Sequence, residues 1–143
     1  MKEITFAQFT ITAPDTWFDV TPELEGDSPP TVAQEEGHGE VQFSLADFPA
    51  QGDAPAIVEI LRGLLKDFAK AHELGSPNNL AEESAPRPLL AGNFVWKQDF
   101  LRVWYVVENG KLAFITYTCE RGDPFANELT DVEQIIRSLK FTG

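Results

Sequence analysis

Cysteine is nearly absent from this chain of 143 residues, in which Cys119 is the only one. A single cysteine excludes an internal disulfide and a metal site built from several thiolates. No run of about 18 apolar residues occurs, so we expect no transmembrane helix, and Met1–Phe6 lacks the basic and apolar segments of a secretory signal. These absences favour the cytoplasm. The length indicates that residues 1–143 form a single domain.

Basic residues are also scarce, with 11 Lys and Arg against 23 Asp and Glu and a net charge of −12. Residues 1–54 hold eleven acidic residues and one basic one, whereas residues 55–143 are nearly balanced. Nucleic acids and anionic membranes bind mainly through Lys and Arg, so neither is an expected partner. The acidity favours a basic protein partner, approached by long-range attraction. The alternative is that the charge serves solubility alone.

Motifs that bind phosphate, dinucleotides or zinc, or that carry a nucleophilic serine, are missing. Cys119 has no histidine near it in the sequence, so we interpret it as a buried thiol rather than a nucleophile. We therefore expect a protein that is not an enzyme and has no cofactor.

Two-residue and helical periodicities divide the chain into an α+β pattern. Alternating apolar residues predict strands, and Gly and Pro mark the breaks between them. The predicted strands are 9–13, 17–21, 31–36, 40–48, 94–99, 101–108 and 111–119, with an edge strand near 81–85. Asn109-Gly110 predicts a two-residue type I′ turn, since both positions of that turn need positive φ.

Two amphipathic helices are predicted. In the first, apolar residues from Ile57 to Phe68 share one face, Asp53 is the N-cap and Gly75 the C-cap. In the closing helix Thr130 and Glu133 have the spacing of a capping box, unless the helix begins earlier, near Pro124. The strands after residue 94 are apolar on both faces, which indicates that both faces are covered. The expected fold is an antiparallel sheet of about six strands between helices.

Three segments resemble the PsbP-like family. Phe9 to Pro14 with Trp17 looks like its opening strand, Gly92 with 103–107, Gly110 and 113–118 like its central hairpin, and 135–141 like its closing helix. The resemblance implies an α/β/α sandwich. The family includes a subunit of the photosynthetic oxygen-evolving complex, a Ran-binding nuclear-transport cofactor and many small bacterial proteins. The resemblance also implies a binding role rather than catalysis.

Glu35, Glu36, His38 and Glu40 cluster around the turn of the first predicted hairpin. Their side chains are suitable ligands for a divalent metal. A solvated acidic turn is the favoured interpretation, because loop carboxylates without supporting contacts bind metals poorly. We therefore predict no metal site and assign these four residues to partner binding.

Trp96 and Trp104 are candidates for lining an apolar ligand pocket, although strand aromatics mostly pack in cores. The leading hypothesis is a protein-binding module that presents an acidic surface to a basic partner, one version being an immunity-type or secretion-associated protein. The alternative is a small carrier or sensor that binds an apolar ligand between sheet and helix. The sequence leaves the oligomeric state open.

Overall fold

The computed structural model describes residues 1–35, 37, 39–49, 52–120 and 125–142, and the side chains of all of these except residues 125–127. Within these ranges the chain forms ten strands, two α-helices and one turn of 3₁₀ helix at Thr21–Glu23. The strands are β1 Lys2–Thr5, β2 Phe9–Ala13, β3 Trp17–Asp19, β4 Thr31–Gln34, β5 Gly39–Asp47, β6 Asn78–Glu83, β7 Leu89–Trp96, β8 Asp99–Glu108, β9 Lys111–Cys119 and β10 Lys140–Phe141. The helices are α1 Ala54–Ala71 and α2 Phe125–Ser138.

The strands form two antiparallel sheets. The larger has seven strands in the order β3-β4-β5-β9-β8-β7-β6, and the smaller has three in the order β1-β2-β10. The α+β class is confirmed. The sequence predicted one sheet of about six strands; the large sheet has seven, and the smaller sheet, which was not predicted, forms because β2 pairs with β1 and with the C-terminal β10.

Hydrophobic clusters lie against the two faces of the large sheet. Val132, Ile135, Ile136 and Leu139, in α2 and just after it, pack with alternate residues of the central strands, together with β2. Leu61, Leu65 and Ala69 of α1 pack with the intervening residues of β7, β8 and β9. The prediction that these strands are covered on both faces is confirmed.

Helix α1 begins where the sequence predicts, but its C-terminal capping motif differs from the predicted one. Asp53 caps its N-terminus by accepting a 3.0 Å hydrogen bond from the amide of Ala56. At the other end Glu73 adopts a φ of +55°, and the amide of Leu74 donates to the carbonyl of Ala69. This pattern is a Schellman motif with Glu73 in the left-handed position. The assignment of Gly75 as the C-cap is wrong, because the chain reverses two residues earlier.

Two hairpins connect β7, β8 and β9. Asn109 and Gly110 have φ values of 49° and 77°, which confirms the type I′ turn between β8 and β9. Lys97 and Gln98 adopt the same handedness, at 51° and 74°, between β7 and β8. The sequence prediction missed this turn and extended the strand through it, because neither residue is a glycine.

Helix α2 begins at Phe125, upstream of the predicted capping box. Thr130 and Glu133 therefore lie inside the helix and do not cap it. Its C-terminal end is held by Arg87, whose guanidinium donates to the carbonyls of Leu139 at 2.7 Å and Ile136 at 3.2 Å. A cation in this position favours the helix electrostatically.

Among the described residues, no helix has both the length and the apolar character needed to cross a bilayer.

Candidate binding surfaces

The acidic hairpin predicted from the sequence is the β4–β5 connection. Glu35 and Glu40 are both exposed to solvent there. Glu36 and His38 lie outside the described residues. Within the described part of the chain, no three His, Cys, Asp or Glu side chains are grouped as metal ligands would be.

One row of cross-strand neighbours connects the hairpin to the edge of the large sheet. Phe18 of β3 pairs with Ala33 of β4, and Ala33 pairs with Glu40 of β5. Residues paired in this way project from the same face of a sheet. Phe18 is 42% exposed, although it lies on a strand. The row therefore places an exposed aromatic ring and a carboxylate on one open face at the sheet edge.

A shallow groove of about 320 Å³ surrounds this ring. It is lined by Phe18, Val20, Glu23, Ala33, Gln34 and Glu35. Glu23, Glu35 and Glu40 are exposed and form no ion pair with any described residue. The ammonium of Lys2 lies 3.7 Å from the centre of the Phe18 ring. We call Phe18, Glu23, Glu35 and Glu40 the acidic edge, a surface that offers carboxylates to cations beside an aromatic ring that already contacts the ammonium of Lys2.

Trp96 lines a second groove of about 320 Å³ beside the end of α1. The tryptophan is 37% exposed. Phe68, Leu74, Leu101 and Phe114 supply apolar surface, and His72 lies against the ring of Phe68 at 4.6 Å between centroids. The groove is therefore apolar at its base and partly open to solvent.

Trp104, the other predicted pocket residue, lies on the opposite face of the sheet. Its side chain is completely buried in the cluster that α2 covers, whereas Trp96 is on the α1 side. The register explains the separation, since Trp104 pairs with Ala91 and Trp96 pairs with Asp99. The structure does not bring the two tryptophans into one pocket.

Three acidic residues of α2 accept hydrogen bonds from aromatic side chains of the sheet. Tyr117 donates to Glu128 at 2.7 Å, Trp17 to Asp131 at 3.2 Å and Trp104 to Glu133 at 3.3 Å. These contacts satisfy the polar atoms of large aromatic residues that are buried in the core. Sequence reasoning missed all three, because acidic residues on an amphipathic helix are normally assigned to its solvent face.

Glu133 also takes part in a charged network on the same face. Arg102 donates to Glu133 at 2.9 Å, to the side chain of Asn93 at 2.7 Å and to the carbonyl of Asn79 at 3.0 Å. Its guanidinium also lies 5.3 Å from the Trp104 ring. Arg102 is 7% exposed, and among the described residues no buried side-chain nitrogen or oxygen atom lacks a hydrogen-bond partner. The network therefore orients α2 on the sheet.

The environment of Cys119 makes its thiol a poor nucleophile. The side chain is buried, and the thiol lies 3.2 Å from the carbonyl of Glu120. Burial raises the pKa of Cys119, and the neighbouring Glu128 charge acts in the same direction. Burial also raises the pKa of Tyr117, as does its hydrogen bond to Glu128. The prediction of a buried cysteine is confirmed.

Gly37, between β4 and β5, and Gly39, the first residue of β5, let the backbone pass close to Tyr117 and Glu128. A Cβ on Gly39 would lie 2.6 Å from a ring carbon of Tyr117 and 2.7 Å from the carbonyl oxygen of Thr118. A Cβ on Gly37 would collide with a carboxylate oxygen of Glu128. The sequence indicated a turn at these glycines, and the structure shows that they are needed for close approach.

Solved structures with the same arrangement of elements provide the comparison. The solution structure of cyanobacterial PsbP (CyanoP) from Synechocystis sp. PCC 6803 matches with a TM-score of 0.57 and 12% identity, covering 99% of this chain and 92% of CyanoP. This chain has the PsbP-like fold. The fold resemblance predicted from the sequence is confirmed.

Two further structures agree. A point mutant of the protein Mog1 matches with a TM-score of 0.57 and 9% identity, over 97% of this chain and 94% of Mog1. LpqN, described as involved in cell envelope biogenesis of Mycobacterium tuberculosis, matches with a TM-score of 0.52 and 12% identity, over 94% and 83%. No protein-family model matches the chain, and a search of curated protein sequences finds no match. At these identities the likeness concerns the fold.

Proposed function

We propose that the chain is a non-enzymatic binding module whose acidic edge contacts a basic protein partner. The observation that carries the proposal is the position of Phe18, an exposed aromatic ring on an edge strand, in a groove that Glu23 and Glu35 also line and in the same cross-strand row as Glu40. These three carboxylates form no ion pair with a described residue. Aromatic residues are enriched among the few interface residues that contribute most of the binding free energy. Carboxylates around such a residue favour Lys and Arg on the partner.

The fold supports this assignment through the part of the sheet that α1 leaves open. We take the arrangement as an α/β/α sandwich in which α1 packs on β7, β8 and β9, the strands that share its cluster. The row Phe18, Ala33 and Glu40 projects on that same side, beyond α1. A partner can therefore contact the sheet directly.

A binding role is also supported by the chemistry of the interior. The raised pKa of Cys119 keeps its thiol protonated near neutral pH, and Arg102 is fully engaged in ion pairing and hydrogen bonding. We place the module in the cytoplasm, as expected from the sequence. An immunity-type or secretion-associated protein, which would bind a basic toxin or effector, is one version of the proposal.

Charge reversal at the acidic edge tests the proposal. Glu23, Glu35 and Glu40 are all changed to Lys, and partners captured from the source cell by the wild type and by the variant are compared by quantitative mass spectrometry. We expect the variant to lose a partner that is positively charged at neutral pH. Association of that partner with the wild type should weaken as salt rises.

A matched control carries the same change in charge elsewhere. Asp67, Glu73 and Glu120 are exposed acidic residues outside the acidic edge, and the triple change of these to Lys should retain the partner. Circular dichroism of both variants shows that each is folded. Equal capture by the two variants, or a captured partner that is acidic, would contradict the proposal.

The second candidate function, a carrier for an apolar ligand, is favoured by the groove beside Trp96. Here Trp96→Ala should weaken binding of the neutral fluorescent probe N-phenyl-1-naphthylamine by about tenfold, since an aromatic wall is removed. The control is Val95→Ala, because Val95 is exposed and precedes Trp96 on the opposite face of β7. Equal probe binding by both variants would exclude this groove.

A further inference from the structure

A larger groove lies on the other side of α1, between this helix and the edge strand β6. Its volume is about 620 Å³. The apolar part is formed by Leu65 and Ala69 of α1, Pro77 of the connecting turn, Leu80 of β6 and Leu90 of β7. Leu80 is 56% exposed. The groove therefore leaves a large leucine side chain in water, and an apolar ligand would cover it.

Because Gly92 has no side chain, the residues at the base of this groove can pack directly over its backbone. A Cβ at this position would lie 3.0 Å from the Cβ of Pro77, 3.3 Å from Leu80 and 3.5 Å from Leu65. Three of the apolar residues that form the groove thus converge over the backbone of one buried strand residue. The groove is built on packed core elements rather than on a loop alone.

The rim of the groove is cationic, which is unusual in a chain with a net charge of −12. Lys66 and Lys70 are four residues apart on α1, so their Cβ atoms are about 5–6 Å apart on one side of the helix. Neither forms an ion pair with a described residue. By contrast, the third cation on the rim, Arg62, is bound by Glu82 at 2.6 Å and by Glu59.

The charge of the rim matches a single negative charge. Lys66 and Lys70 are offset only by Glu73, and Glu82 is already paired with Arg62. Arg62 is already balanced by Glu82 and Glu59, so a ligand with one carboxylate would balance the one positive charge that remains at the Lys66–Lys70 end of the rim. Two lysines side by side can both donate to the oxygens of one carboxylate.

The size of the groove favours a small molecule over a protein. A volume of about 620 Å³ falls in the usual range for small-ligand sites. Protein interfaces need about 800 Å² on each partner. Phe18, Val95 and Trp96, exposed apolar side chains elsewhere in the described chain, do not line this groove. Its apolar surface is therefore local.

We propose that this groove binds a free single-chain fatty acid. The carboxylate lies between Lys66 and Lys70, and the alkyl chain covers Leu80 and the apolar base. Burial of the chain supplies most of the affinity, at about 0.8 kcal/mol for each CH₂ removed from water. The two lysines select the anionic head group. This site is separate from the acidic edge, so neither proposal depends on the other.

Isothermal titration calorimetry with decanoate tests the proposal. The probe of head-group charge is decyltrimethylammonium, which has the same chain length as decanoate and the opposite charge. We expect wild-type protein to bind decanoate with a dissociation constant below about 1 mM, and to bind decyltrimethylammonium at least tenfold more weakly. Equal or tighter binding of decyltrimethylammonium would overturn the assignment of the head group.

Two variants locate the site. The double change Lys66→Gln and Lys70→Gln should weaken decanoate binding at least tenfold. Its control is Lys97→Gln with Lys140→Gln, which alters the net charge equally at exposed positions outside the groove and should leave affinity within about twofold. Equal losses in both double variants, or no loss in the first, would overturn the proposal.

The apolar half of the site is tested with Leu80→Asp. Leu80 is exposed on an edge strand, so the substitution should leave the fold intact, which the thermal unfolding midpoint verifies. We expect decanoate binding to fall below detection, because a carboxylate then replaces the surface that the alkyl chain covers. Retained binding in a folded Leu80→Asp protein would show that the chain lies elsewhere.

Discussion

The phenol of Tyr117 donates a hydrogen bond to Glu128 over 2.7 Å, inside the core between the large sheet and α2. A buried carboxylate is costly unless hydrogen-bond donors solvate it. We therefore expect Tyr117→Phe to lower the free energy of unfolding by about 1.5–3 kcal/mol, the range for hydrogen bonds to charged groups. Urea denaturation monitored by circular dichroism measures this change.

The matched control for this prediction is Tyr105→Phe. Tyr105 is also buried, but its hydroxyl lies 3.4 Å from the carbonyl of Leu64, which is a long hydrogen bond. Loss of this contact should cost less than about 1 kcal/mol. Similar costs for the two substitutions would show that the Tyr117–Glu128 contact has no special weight.

Two glycine substitutions should have opposite effects on stability. Gly39→Ala should destabilise the protein by about 1–3 kcal/mol, because the new methyl group would overlap the ring of Tyr117 and the backbone of Thr118. Gly63→Ala should stabilise it by about 0.5–1 kcal/mol, because Gly63 lies inside α1 with nothing within 4 Å of its Cβ position. Thermal unfolding of both variants measures the difference. If Gly39→Ala proves neutral, the close approach of the hairpin to Tyr117 is wrong.

Local patterns in the sequence predicted the parts of the fold that depend on local physics. The apolar face of α1, its Asp53 cap and the Asn109-Gly110 turn each follow from residues close together in the chain. Pairing between β2 and β10 joins residues more than 120 positions apart. No local periodicity encodes that pairing, so the smaller sheet could not be predicted.

Side-chain placement failed where a polar residue serves the core. Glu128 and Glu133 have the composition of a solvent face, yet both accept hydrogen bonds from buried aromatics. The sequence does contain a signal for these contacts: acidic residues lie beside apolar ones on a helix that faces strands rich in Trp and Tyr. Trp96 and Trp104 lie on opposite faces of the sheet, because the turn at Lys97-Gln98, which the sequence prediction missed, fixes the register that separates them; Trp96 lines a groove and Trp104 is buried. Of the residues in the acidic edge, Glu35 and Glu40 were singled out from the sequence, whereas Phe18 and Glu23 were not.

Glu73→Gly should stabilise the protein by about 1 kcal/mol. Glu73 has a φ of +55° at the end of α1, a conformation that costs about 1–2 kcal/mol for a residue with a Cβ atom and little for glycine. The Schellman hydrogen bonds remain, because they involve only the backbone. Glu73→Ala is the control and should give no such gain, since alanine keeps the Cβ. The urea denaturation midpoints of the two variants test this prediction. An equal gain in stability in both would attribute the effect to the loss of the Glu73 charge.

Alkaline pH should destabilise the protein through its buried tyrosines. Burial raises the pKa of Tyr105 to about 12, and the negative charge of Asp67 adds to the shift. The ordinary value in an unfolded chain is about 10. Below pH 10 the phenol is protonated in both states, so its contribution is constant. Above about pH 10 the unfolded chain ionises first, and the free energy of unfolding falls until the folded phenol ionises as well. Tyr117 contributes with the same sign, because burial and Glu128 raise its pKa too.

Substitution of Tyr105 isolates its share of this pH dependence. From about pH 8 to about pH 11, Tyr105→Phe should lose about 1.4 kcal/mol less stability than the wild type, the amount expected for one group whose pKa rises from about 10 to about 12 on folding. Urea denaturation at the two pH values gives the comparison. Tyr105 contacts Phe114 and lies at the base of α1, so the phenylalanine ring keeps the packing and removes only the ionisable group. If the wild type and the variant lose the same stability, the Tyr105 phenol ionises equally easily in the folded and unfolded chains.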